Sequence, residues 1–155
     1  MAFELSASVV LWRGEEILVM KRAGGFSAGG WFIPGGHVEH GERPVESAAR
    51  ELFEEAAISV DPADLALVDI MSYETGGGTA HTIIYNASCA DATEAAINDE
   101  HLYHRWMTPE AYIARFLDEE MLRSRGASES AIALANEVAR VVRAAAAQRA
   151  RVGQR

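Results

Sequence analysis

Cysteine is almost absent. Cys89 is the single one in 155 residues, so no intramolecular disulfide can form, and the chain suits a reducing compartment. No stretch approaches the ~18 uninterrupted apolar residues of a membrane helix. The first residues, Met1-Ala2-Phe3-Glu4-Leu5, lack the basic segment and apolar run of a signal peptide, so the expected location is cytoplasmic. Basic residues are scarce as well. Lys and Arg number 14 against 23 Asp and Glu, a net charge of −9. Five of the arginines follow Glu137, leaving 14 − 5 = 9 basic residues against 23 acids before it, a net of −14. A grip on duplex nucleic acid comes from cations that displace counterions, and this chain is short of them. Strictly alternating βα units, internal repeats and domain linkers are missing too. What remains is an ordinary globular composition, 49 % hydrophobic and 24 % charged, in a chain of one-domain length.

Short apolar runs around Gly14 predict a β-hairpin, with strands over 3–12 and 17–20. The glycine-rich stretch 23–30 predicts a loop. Trp31-Phe32-Ile33 is a brief strand stopped by Pro34-Gly35-Gly36. Residues 44–58 predict a helix with Pro44 in its first turn, where a missing N–H is harmless. Asp61-Pro62 then breaks the chain. A second hairpin spans 65–73 and 79–89 around Gly76-Gly77-Gly78, and a strand covers 102–107. One helix is expected from Pro109 to about Arg123, and another after Gly126 with Ser128 as its N-cap. Strands flanking a central helix, with helices closing the chain, predict a mixed α/β (α+β) sandwich.

The central helix carries the informative chemistry. At about 100° per residue, Val45, Ala48, Ala49, Leu52 and Ala56 form one face. Glu51, Glu54 and Glu55 lie nearly opposite within one turn. Like charges at this spacing destabilise a helix and raise one another's pKa unless a cation intervenes. Arg50, beside Glu54, is expected to offset only one of them. Two readings follow: a solvated acidic face, or a site for a hard divalent cation, which takes carboxylate oxygens and substrate phosphates.

The flanking residues weigh on that choice. Gly36 is followed after five residues by Glu42, then after seven by Arg50-Glu51-Leu52-Phe53-Glu54-Glu55-Ala56-Ala57-Ile58. This resembles the Nudix box, G-x5-E-x7-R-E-U-x-E-E-x-G-U, with U bulky and aliphatic. The five charged positions alone match by chance about once in a million windows. The departure is Ala57, where the family usually has Gly, and it implies a slightly different exit from the helix. Trp31 to Gly36 resembles the strand leading into the box, and Trp106 follows Glu100 as in many members. The resemblance covers about residues 4–120 and leaves the C-terminal helix unexplained.

The resemblance implies a single Nudix hydrolase domain over 1–155, with a helical segment at about 109–150. Its fold would be an α/β/α sandwich with a mixed sheet, the Nudix helix and C-terminal helices. It implies a Mg²⁺-dependent pyrophosphohydrolase, with Mn²⁺ as a substitute, cleaving a diphosphate linkage in a nucleoside diphosphate derivative by water attack at phosphorus. The alternative is a non-catalytic nucleotide-binding regulatory module on the same fold. Glu51, Glu54, Glu55 and the carbonyl of Gly36 would be the metal ligands. Glu55 and Glu100 are both candidates for the general base, so the catalytic set is Glu51, Glu55 and Glu100. Glu42 would pair with Arg50 in an orienting role. Arg22, or Lys21 beside it, can meet a phosphate. Trp31, Phe26 and Tyr73 are candidates for stacking on a base, and His37 for facing the substrate. The five histidines include no His-x-x-x-His pair. The expected partner is a small nucleotide-type molecule, with neither duplex nucleic acid nor membrane. Many relatives are homodimers, and the oligomeric state here is left open.

Overall fold

The structure is a computed structural model that describes residues 3–25 and 29–153. Phe26 lies outside the described residues. The chain runs β1 (Phe3–Arg13), β2 (Glu16–Arg22), β3 (Trp31–Phe32), β4 (Gly35–His37), α1 (Pro44–Ala56), β5 (Ala66–Thr75), β6 (Gly78–Ser88) and β7 (His101–Met107). It closes with α2 (Pro109–Phe116), α3 (Glu119–Ser124) and α4 (Glu129–Val152). The strands form one mixed sheet in the order β3-β2-β1-β6-β5, with β4 also paired to β1 and β7 to β2. β1 and β6 run parallel, from Phe3 opposite Thr79 to Trp12 opposite Ser88, and the other pairs are antiparallel. None of the described helices is long and apolar enough to cross a membrane.

β1 is central and buried on both faces, and its period of two sorts the cores. Ala7, Val9 and Leu11 meet Ala48, Leu52 and Ala56 of α1. Val10 and Trp12 point the other way, onto Val138, Val141, Val142 and Ala145 of α4. The sheet is thus sandwiched between α1 and the C-terminal helices. Each fully buried Val, Leu or Ile contributes roughly 1.5–3 kcal/mol. The small residues on α1 let that helix sit close to β1, which brings its next face to the sheet edge where the acids emerge.

Three local expectations are corrected. Gly35 and Gly36 do not end a strand; they belong to β4, with Gly35 opposite Ser8 and Gly36 opposite Ala7. A Cβ on Gly35 would lie 2.6 Å from the Ala7 carbonyl oxygen, so only glycine permits this approach. The helix after Pro109 does not run unbroken to Arg123. Leu117 leaves helical geometry (φ −120°, ψ 7°) and is buried, and Asp118 restarts the chain as N-cap of α3 by accepting from Met121 N–H. The central helix ends at Ala56 rather than Ile58, and its exit is the left-handed one a glycine would give, with Ala57 at φ 56° and ψ 30°. Ala57 N–H donates to the Phe53 carbonyl at 2.9 Å. The carbonyls of Glu55 and Ala56 accept from Asn98 and Ala96 N–H, which holds this alanine in a conformation it would otherwise avoid.

Candidate active site

β4 and α1 meet at the mouth of a cleft of about 710 Å³. Its walls bring together most of the candidate residues: Arg22, Gly36, Glu51, Glu54, Glu55 and Glu100, with His37, Arg50 and Tyr73 beside them. Lys21 does not join them; its ammonium sits 6.0 Å from the ring centre of Tyr103. Trp31 lines neither this cleft nor the recess beneath it. Its ring stacks on Phe116 at 4.8 Å, with the Arg105 guanidinium 5.5 Å from its centre, so the expected stacking role fails at Trp31.

The three box glutamates have unequal environments. Glu54 is exposed, Glu51 is half-buried and Glu55 is only 2 % exposed. Glu55 therefore does not belong to a solvated acidic face. Its carboxylate accepts one hydrogen bond, from Gly35 N–H at 3.2 Å. Burial pushes the Glu55 carboxyl up to about 8, against the pull of the Gly35 N–H, and the charges of Glu51 and Glu100 push it further the same way. Burial also raises Glu51, in part countered by Arg50. Gly36 is packed so tightly on Glu51 that a Cβ there would come within 2.4 Å of the carboxylate.

Arg50 neutralises more than the single acid expected of it. Its Nε donates to Glu42 at 2.7 Å and its Nη2 to the same carboxylate at 3.0 Å. Its Nη1 donates to Glu51 at 2.9 Å and Glu54 at 3.1 Å, and Nη2 reaches the His37 carbonyl at 3.1 Å. The expected Glu42–Arg50 pair is present, and the guanidinium holds the Glu42 carboxyl down at about 2. The forked guanidinium, with five N–H donors in one plane, serves these acceptors together in a geometry a lysine's compact ammonium does not match.

As they stand, no three His, Cys, Asp or Glu among the described residues are gathered tightly enough to hold a metal ion. The reason is visible in the contacts: Arg50 draws Glu51 and Glu54 to itself, and Glu55 is turned onto Gly35 N–H. The donor chemistry nevertheless fits a hard divalent cation. Glu51, Glu54, Glu55 and Gly36 supply only oxygens, they line one cleft, and Glu55 is a buried acid among them.

Glu100 is exposed on the opposite lip, at the start of β7. Asn98 Oδ1 accepts from its N–H at 3.1 Å, and its carbonyl accepts from Ala23 N–H at 2.9 Å. Tyr73 and Arg22 sit where the cleft deepens into a smaller recess. Sequence reasoning missed that recess. Ser6, Ser8, Thr82 and His101 line it together with Leu134, Val138 and Val141 of α4. One signal for the serines was readable: Ser6 and Ser8 share the β1 phase of Val10 and Trp12, so they point at a covered face.

A mixed sheet between helices, with Gly36 and the Glu51–Glu55 turn on one cleft, defines the architecture. The NUDIX domain family model matches residues 2–125, and the chain belongs to that family. The 8-oxo-dGDP phosphatase NUDT18 of Homo sapiens is 36 % identical over 62 residues, 40 % of this chain and 19 % of that protein. The Danio rerio protein of the same name is 29 % identical over 109 residues, 64 % of this chain and 30 % of that one. The chain thus spans less than a third of the length of these curated relatives. A C. elegans Ap4A hydrolase binary complex superposes with a TM-score of 0.71 at 22 % identity, covering 95 % of this chain and 98 % of that one. A MutT protein from Methanosarcina mazei Go1 gives 0.71 at 19 % identity, over 91 % and 94 %. These structures share the fold.

Proposed function

We propose that the chain is a Mg²⁺-dependent pyrophosphohydrolase, with Mn²⁺ as a substitute, cleaving a diphosphate linkage in a nucleoside diphosphate derivative. The observation that carries this reading is Glu55: a buried acid on a cleft it shares with Glu51, Glu54 and Gly36, it is favoured in its ionised form near neutral pH by a cation bound among those oxygens. The family membership and the resemblance to 8-oxo-dGDP phosphatases support a nucleotide substrate. In this reading 1–155 acts as one domain, with the helices beyond Pro109 included.

Glu51, Glu54, Glu55 and the Gly36 carbonyl would hold the cation. Bound there, it would neutralise phosphate charge and make a coordinated water more acidic. The chain's own residues do the rest. Arg50, anchored by Glu42, spaces Glu51 and Glu54, the carboxylates that would turn to the cation. Arg22 receives a phosphate oxygen. Glu100, on the open lip, takes the proton from the attacking water, and Glu55 is the other candidate for that task.

A panel of nucleoside triphosphates and diphosphates, nucleotide sugars and dinucleotides, assayed with and without Mg²⁺ or Mn²⁺, tests the proposal. Glu55→Gln should lower turnover of the best substrate on the order of 100-fold or more. Wild-type rates in that variant would remove the metal-site assignment. Nucleotide binding without turnover under either ion would make the chain a binding module.

A further inference from the structure

β5 is the last strand in the sheet order, and among the described residues no strand pairs with its outer edge. Such an edge offers backbone N–H and C=O groups to any chain that can extend the sheet. The side chains add to the exposure: Leu67 and Ile70 are 58 % and 51 % exposed.

The edge is nevertheless occupied, by side chains of α4. Gln148 Nε2 donates to the Leu67 carbonyl at 2.7 Å, and Arg140 Nη2 to the Ile70 carbonyl at 3.2 Å. Glu137 accepts from Ser72 N–H at 3.4 Å, and Ile70 N–H donates to the adjoining Asp69 carboxylate at 2.7 Å. These backbone groups bond to side chains, so they are the ones β5 turns away from β6. The row is itself held in place. Arg140 donates to Asp69 at 2.6 Å and to Glu137 at 2.9 Å, and Gln148 accepts from the buried Asn86 at 2.9 Å. At about 100° per residue, Glu137, Arg140 and Gln148 fall within about 80° of one another on the helix. The two elements also keep pace. From Glu137 to Gln148 the helix rises about 16 Å at 1.5 Å per residue, and from Ser72 to Leu67 the strand covers about 16 Å at roughly 3.3 Å per residue. α4 begins at Glu129, beyond the residues 2–125 of the family match, so this row belongs to the part of the chain that the family does not explain.

We propose that α4 is an edge guard: Glu137, Arg140 and Gln148 stand in for a neighbouring strand and keep the β5 of one copy from pairing with the β5 of a second. The inference is independent of the hydrolase reading. The partner kept away is a second copy because the edge is self-complementary. A two-fold antiparallel pairing centred between Val68 and Asp69 sets Leu67 of one copy opposite Ile70 of the other. It also sets each Asp69 opposite a Val68, so the two carboxylates do not face one another.

Sedimentation velocity over a wide concentration range tests this on wild type, Ile70→Lys, Arg140→Ala, the double variant Glu137→Ala/Arg140→Ala, and the double variant carrying Ile70→Lys. Hydrogen exchange at the Ser72 amide reports whether strands pair. Wild type should show no association that Ile70→Lys alters. The double variant should self-associate about tenfold or more tightly than wild type, with Ser72 exchange slowing as concentration rises. Arg140→Ala changes one exposed side chain, so it should fold as wild type does and show the same trend more weakly. Adding Ile70→Lys puts a charge on the bared edge and should return the double variant to wild-type behaviour. Wild-type size in both guard variants overturns the proposal. Association with Ser72 exchange unslowed overturns it too, because the contact then lies elsewhere. So does wild-type association that Ile70→Lys abolishes, since the edge would then be open with its guard in place.

Discussion

Raising the pH on the metal-free protein should weaken its fold through one side chain. Glu55 is 2 % exposed, and burial moves its carboxyl from the ordinary 4.5 to about 8. In the unfolded chain the same group titrates near 4.5. Between these values the folded state keeps a proton that the unfolded state has released. Stability is therefore highest below pH 4.5, falls as pH rises through the window, and levels off above 8. At about 1.4 kcal/mol per pH unit the full penalty is on the order of 5 kcal/mol. Water in the open cleft screens part of it, leaving about 3 kcal/mol between pH 5 and pH 9, or ~6–12 °C of melting temperature at this size. The assay is urea unfolding in EDTA at both pH values, on wild type and Glu55→Gln. The neutral variant keeps the shape and loses the titration, so its pH slope should be flatter by that amount. A residual slope remains, because burial raises Glu51 in the same direction. Mg²⁺ at pH 9 should restore wild type and leave the variant nearly unmoved. Identical pH slopes in the two proteins would refute the reasoning.

Three further substitutions probe the backbone on either side of the carboxylates. Ala57 sits at φ 56°, where an L-residue loses about 1 kcal/mol, so Ala57→Gly should raise the denaturant midpoint by roughly 0.5–1 kcal/mol equivalent with an unchanged m-value. A lower midpoint would show that the loop bonds from Ala96 and Asn98 have removed the strain. At Gly36 a Cβ would lie 2.4 Å from the Glu51 carboxylate, so Gly36→Ala should displace that side chain and cut turnover by about tenfold or more, with little change in melting temperature. Gly35→Ala is the control. Its Cβ meets the Ala7 carbonyl oxygen at 2.6 Å, so it should part β4 from β1 and lower the melting temperature, which Gly36→Ala should not. Equal losses of melting temperature in the two would contradict the division between a glycine that clears the Glu51 carboxylate and one that lets β4 meet β1.

Legibility in the sequence followed the range of the interaction. The first hairpin, the box helix and the Ser128 cap were readable because each is set by neighbours within a few residues. The break at Leu117 was not. Its cause is the burial of Leu117 in a core formed with α4, together with a cap at Asp118 that competes with a continuing helix. The helical wheel placed Glu55 among acids and could not register that β4 and the loop at Ala96–Asn98 would close over it. Arg50 read as a partner for one box glutamate and, by resemblance, for Glu42, but not for Glu51 or the His37 carbonyl as well. Only the folded loop of 36–42 brings the His37 carbonyl within its reach beside Glu42. Trp31 looked free to stack until α2 placed Phe116 on its face.

The sequence by itself determined the chemistry of the site: which carboxylates are present, their spacing on one helical turn, the glycines that precede them, and the local excess of acid. Those properties are local, because 100° per residue and the bare Cα of glycine require no distant contact. Only the tertiary structure decided which carboxylate is buried, which arginine restrains its neighbours, and where α4 lies. The pKa of Glu55 and the recess beside Thr82 arise from surfaces contributed by segments from 20 residues apart (Gly35 and Glu55) to 135 apart (Ser6 and Val141). Burial belongs to such surfaces, not to any one stretch of chain.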